Sequence, residues 1–137
     1  MTLKELSQLY YLNREIEMDQ RRIDELRAKA ESVSPPLGMP HNQNRESKIE
    51  RYVADIVDLT AIIAAKQQQC IHERNRLERY IAEIEDSLTR QIFTYRFVNG
   101  LGWEDVASNI NEKLTGKYVS NICYSQLKKD EFEEKQG

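Results

Sequence analysis

Leu9, Ile16, Ile23 and Ala30 recur every seven residues, with Leu12 and Leu26 on the adjoining line and Arg14, Glu17, Arg21 and Glu25 between them. A stripe of that period is the packing edge of one helix, roughly 45 Å long at 1.5 Å per residue. Thr2 and Glu5 in T-L-K-E have the spacing of a capping box, which predicts the start of this helix. A second stripe runs Ile49, Ile56, Ile63, Cys70, Leu77 and Ile84, flanked by Tyr52, Val53, Leu59, Ile81 and Leu88. It predicts a helix of about 60 Å, opening at another capping-box spacing, Ser47 and Glu50.

Between the stripes, residues 32–46 hold all three prolines, within S-V-S-P-P-L-G-M-P, and no periodicity, which predicts a loop. Neither stripe can bury itself, and the loop is long enough to fold the second helix back on the first. The expectation for residues 1–87 is therefore a long antiparallel helical hairpin, coiled-coil-like in its packing. Apolar residues off the main line, Ile62 and Ile71 among them, would recruit a second copy, so a homo-oligomer, a dimer first, is expected. The competing expectation is a monomeric spacer whose polar seam positions Asp19, Lys66 and Glu73 are simply exposed.

From Leu88 the texture changes: Phe93, Tyr95, Phe97 and Trp103 cluster around an N-G-L-G turn at 99–102, and the helical segments shorten. Residues 88–129 parse as three helices. The first turns Leu88, Ile92, Phe93, Phe97 and Val98 inward. The second, from Trp103 to Ile110, turns Val106, Ala107 and Ile110 inward; the third, capped near Thr115, turns in Val119, Ile122, Cys123 and Leu127. Trp103 is assigned to the head core with Phe93 and Phe97. The acidic tail, 130–137, is expected to fray.

Only 39% of the 137 residues are hydrophobic and 31% are charged, so a large buried core is not expected. The net charge of −3 gives no whole-protein attraction to nucleic acid, and any such binding must be local. The segment 86–129 is locally positive: Arg90, Arg96, Lys113, Lys117, Lys128 and Lys129 outnumber Asp86, Glu104, Asp105 and Glu112. No apolar run approaches the roughly 20 residues that cross a bilayer, and the first residues, amphipathic and acidic, do not read as a signal peptide. Two cysteines without ligand-spaced partners fit a reducing, cytoplasmic setting.

Catalytic chemistry has no visible seat. His41 falls in the loop and His72 in mid-helix; Cys70 and His72, two apart on a helix, point to different faces and make no metal pair. No glycine-rich phosphate loop is present. The expectation is a non-enzyme without cofactor or metal. What remains is the outer face of the third head helix, where Lys117, Ser120, Asn121, Tyr124 and Lys128 carry groove-reading chemistry: amide and ammonium groups for base edges, hydroxyls for phosphates. Tyr118, Thr115 and Arg96 are expected to support them.

The run R-F-V-N-G-L-G-W-E-D-V-A at 96–107 resembles the start of sigma-factor region 4, roughly R-Y-x-x-G-x-S-x-x-E-I-A, with Gly102 in place of the usual cap, Asn111, which tolerates a left-handed turn, where that family commonly has a turn glycine, and a longer following turn. With Y-Y-L at 10–12, the P-L-G-M-P loop and a long helix before the head, the chain resembles the sigma-70-like late-operon transcriptional activators of phages of Gram-positive bacteria. The resemblance implies a small helix-turn-helix head and a sequence-specific regulator, acting on double-stranded DNA in the cytoplasm of a bacterial host. The competing function is a coiled-coil adaptor that docks RNA polymerase or another phage protein without touching DNA.

Overall fold

A computed structural model describes residues 1–33 and 43–136. All regular structure among them is helical: α1 (Leu3–Leu6), α2 (Gln8–Ser32), α3 (Gln43–Ala82), α4 (Ser87–Phe93), a π-helical turn (Thr94–Val98), α5 (Trp103–Ile110) and α6 (Gly116–Gln136). The chain divides into two compact units, Met1–Tyr11 with Cys70–Gly137, and Leu12–Gln69.

In the Leu12–Gln69 unit, Ile23 and Leu26 of α2 and Ile63 of α3 are buried. Half-buried positions extend each line at alternating steps of three and four: Leu12, Ile16, Asp19 and Ala30 on α2, and Ile49, Tyr52, Ile56, Leu59 and Lys66 on α3. This is the spacing of helices that pack lengthwise. Asp19 and Lys66 are not idle polar interruptions, because Lys66 Nζ reaches Asp19 Oδ2 at 2.6 Å and Glu15 Oε2 at 3.3 Å. The first of these bonds, and secondarily Glu15, raises the Lys66 pKa against the opposing effect of burial. Val53, Val57 and Ile62 stay exposed on α3.

α3 begins at Gln43, upstream of the spacing at Ser47 and Glu50 expected to start it. Gln, Arg, Glu and Lys are good helix formers, and Glu46 in the first turn complements the helix dipole, so the helix needs no apolar residue to extend there. Most of the expected 32–46 loop, His41 included, lies outside the described residues; of its ends, Ser32 closes α2 and residues 43–46 are helical.

In the other unit the Thr2 capping box forms, Thr2 Oγ1 accepting the Glu5 N–H at 3.2 Å and Glu5 Oε2 accepting the Thr2 N–H at 3.4 Å. One core gathers Leu6, Leu9, Leu77, Ile81 and Ile84 with Ile92, Phe93, Phe97, Val106, Ala107, Val119 and Cys123. The helical segments from Ser87 onward therefore share their core with the first residues of the chain and the end of α3. Asp86 caps α4, accepting from the Thr89 N–H at 2.9 Å and the Thr89 hydroxyl at 2.7 Å. Gly100, with φ +73°, is the one left-handed residue described, and it lets the chain turn from the π-helical segment toward α5. Asn111 is extended, at φ −162°, rather than left-handed.

The acidic segment expected to fray continues α6 through Gln136. Long-range partners hold it: the Tyr80 hydroxyl donates to Asp130, and the Met1 ammonium pairs with Glu134 at 3.3 Å. Within the helix, Gln126 bonds Asp130 at 3.0 Å and Lys135 pairs with Glu131 at 3.4 Å. Burial, and then the bond to Asp130, push the Tyr80 phenol well above its usual range.

Candidate nucleic-acid interface

α5 and α6 are joined by residues 111–115, a turn closed by its own polar groups. Asn111 Oδ1 accepts the Lys113 N–H at 3.0 Å, the Asn111 carbonyl accepts the Leu114 N–H at 3.0 Å, and Thr115 Oγ1 caps α6 by accepting the Tyr118 N–H at 3.2 Å. Glu104, in the first turn of α5, adds a second cap: its carboxylate accepts the Gly116 N–H at 3.1 Å. These bonds satisfy orphan amides of the first turn of α6 and fix its start against α5.

Below that start, one face of α6 is locked into the core by Gly116, Val119 and Cys123. Burial pushes the Cys123 thiol up to about 12, which marks it as an inert packing group. The opposite face is solvent-facing. Lys117, Asn121, Tyr124 and Lys128 are all exposed and follow one another at steps of four, three and four, a single line roughly 16 Å long. Tyr118, also exposed, stands beside the first of them. Among the described residues, no ion pair or hydrogen bond engages the side chains of Lys117, Asn121 or Lys128.

The other residues singled out from the sequence have structural tasks. Thr115 is the cap of α6. Half-buried Ser120 donates its hydroxyl to the Lys117 carbonyl of its own helix at 2.9 Å. Arg96 donates to the Leu101 carbonyl at 3.0 Å and lies over the Trp103 ring, 4.4 Å from its centroid. The far side of the linkage is Tyr124, whose ring meets Trp103 edge-on at 6.0 Å. Trp103 is thus half-buried between a guanidinium and a phenol, whereas Phe93 and Phe97 are core residues as expected.

Lys113 was not among the residues expected to bind, yet it is exposed in the turn just before the cationic start of α6. A lone lysine in a polar turn carries no periodic signal, and only the placement of the turn gives it meaning. Charge on α6 is polarised: Lys117, Lys128 and Lys129 precede the exposed Glu131, Glu133 and Glu134.

Among the described residues no three His, Cys, Asp or Glu side chains are grouped to hold a metal ion, and no helix is long and apolar enough to cross a membrane. Compared with protein families, with curated proteins and with solved structures, the chain has no match in any of the three.

Proposed function

We propose that this protein is a DNA-binding transcriptional regulator in which α5, the 111–115 turn and α6 act as a helix-turn-helix. α6 enters the major groove from its N-terminal end. The observation that carries this reading is the line Lys117, Asn121, Tyr124 and Lys128 on the outer face of a helix whose inner face is immobilised. A rigid helix offering an amide, ammonium groups and phenols to solvent has the donors and acceptors that base edges and phosphates require. Asn121 suits adenine, Lys117 guanine, and Lys128 and Lys113 the backbone.

The acidic end of α6 favours entry by the cationic end, since Glu131, Glu133 and Glu134 would be repelled by phosphates. α2 and α3 form a helical hairpin in this reading. The exposed Val53, Val57 and Ile62 offer a second copy an apolar face, which doubles the contacts of a weakly positive head. The resemblance of residues 96–107 to sigma region 4 supports a role in activating phage late genes in a bacterial cytoplasm, without enzymatic activity.

Fluorescence anisotropy of a randomised duplex DNA pool over a salt series tests this. Binding should weaken steeply with salt, and Lys128→Ala should reduce the log-log slope by about one. Absence of binding at low salt would reject the proposal and favour an adaptor that docks a protein such as RNA polymerase.

A further inference from the structure

A cavity of about 370 Å³ is lined by Ser7, Tyr10 and Tyr11 from the first residues of the chain and by Arg96, Phe97, Gly100 and Gly102. Its wall holds a guanidinium and two phenols and no carboxylate. The Ser7 hydroxyl is committed to the Leu3 carbonyl at 2.8 Å, so the donors offered to a ligand are those of Arg96 and Tyr11. Only one of the five N–H donors of a guanidinium is needed for the Leu101 carbonyl. The Tyr10 and Tyr11 rings meet edge-on at 5.4 Å, and Tyr11 is 60% exposed. Gly100 and Gly102 also line it, and a Cβ added at Gly102 would meet nothing within 4 Å.

The cavity is connected to α6 through aromatic contact: Arg96 lies on Trp103, and Trp103 meets Tyr124, a member of the exposed line. We propose that this cavity is a subsite for a backbone phosphate of the nucleic acid seated on α6, with Arg96 and Tyr11 as its donors. The inference rests on the DNA-binding reading and deepens it, because it brings the N-terminal residues into the interface. Half or more of protein–DNA hydrogen bonds go to phosphate and sugar and set the register of the reading helix, a task that the α6 line alone leaves underprovided.

The test uses the full chain and variants at positions that tolerate change. Tyr11→Phe removes one exposed hydroxyl; Gly102→Glu and Gly102→Lys add opposite charges at a site with ordinary φ and open space. Thermal midpoints identify any variant with altered folding. The expected result is a two- to fivefold loss of duplex affinity for Tyr11→Phe and at least a tenfold loss for Gly102→Glu. Gly102→Lys should bind more tightly, with a salt slope steeper by about one. Weakening by Lys117→Ala with wild-type affinity in Tyr11→Phe and Gly102→Glu would overturn the subsite and leave the DNA-binding reading standing. No binding by the wild type would overturn both. Inorganic phosphate, titrated at constant ionic strength while the Gly100 and Gly102 amide resonances are followed, separates the two sources of the anion. Saturable shifts together with unaltered duplex affinity in the variants would assign the cavity to a free anion and overturn the backbone assignment.

Discussion

The Glu104 carboxylate accepts the Gly116 N–H at 3.1 Å, so a residue in the first turn of α5 caps the start of α6. The fit is close enough to exclude a side chain at Gly116: an added Cβ would overlap the Glu104 carboxylate and stand 3.1 Å from the Glu104 backbone nitrogen, which cannot swing away. Replacing glycine by alanine in a helix ordinarily stabilises it by about 1 kcal/mol. Here the sign should reverse. Gly116→Ala should cost about 1–2 kcal/mol in urea unfolding, through the lost cap and the forced shift of α5 against α6. Glu104→Gln, which keeps an acceptor oxygen, should cost less than Glu104→Ala. A stabilised Gly116→Ala protein would reject the contact.

Trp103 offers a second measurement. The expectation from sequence was a core residue, whose truncation costs roughly 3–5 kcal/mol. Half-buried between Arg96 and Tyr124, it should instead cost about 2–3 kcal/mol on replacement by Ala, with the unit still folded at 25 °C. Trp103→Phe should recover most of the loss, because a phenyl ring still stacks under the guanidinium. Urea titration followed by far-UV circular dichroism would decide between these outcomes, and complete unfolding of Trp103→Ala would restore the core assignment.

Much of this was legible in the chain because repeated spacing survives local noise. The lines through Leu9, Ile23 and Leu26 and through Ile63 and Leu77 repeat for many turns, and the helices expected from them are present. The Lys117, Asn121, Tyr124 and Lys128 face was readable for the same reason, since apolar Val119 and Cys123 mark the opposite side. Single local signals did worse. The Ser47 and Glu50 spacing matches a cap but stands inside α3, where favourable helix propensity upstream lets the helix pass through it. The acidic end of α6 reads as a fraying tail because its restraints, Tyr80 on Asp130 and Met1 on Glu134, come from residues far away in sequence. Arg96 is legible in sequence as a basic residue of the head, but its ring and carbonyl partners emerge only from the fold.

Asp19 and Lys66 interrupt two apolar lines, and the 2.6 Å pair they form retains only about a fifth of each side chain's exposure, 21% and 23%. Removing one partner leaves a partly desolvated charge behind, whereas removing both leaves an apolar seam. Asp19→Leu and Lys66→Leu should each destabilise by roughly 1–2 kcal/mol, and the double variant should return to wild-type stability or exceed it. Thermal unfolding of the four proteins closes the cycle. Additive losses in the double variant would show that the pair is not coupled.

Asp86 gives the protein an acid-sensitive joint at the start of α4. Its carboxylate accepts the Thr89 hydroxyl and the Thr89 N–H, and these two bonds, in that order, hold its pKa below the usual carboxylate value. The folded state thus favours the charged form more than the unfolded chain does. The resulting stabilisation is present in full above the ordinary carboxylate range, and it is lost as pH falls through the lowered folded value. Asn is a good cap without a charge, so Asp86→Asn should retain the helix start and lose only the contribution that depends on ionisation. Urea midpoints measured from pH 7 to pH 3 should show wild type ahead of Asp86→Asn at neutral pH, with the gap narrowing below about pH 4. A gap that stays constant across that range would mean that Asp86 acts at α4 through shape alone, and that its charge takes no part in holding the helix start.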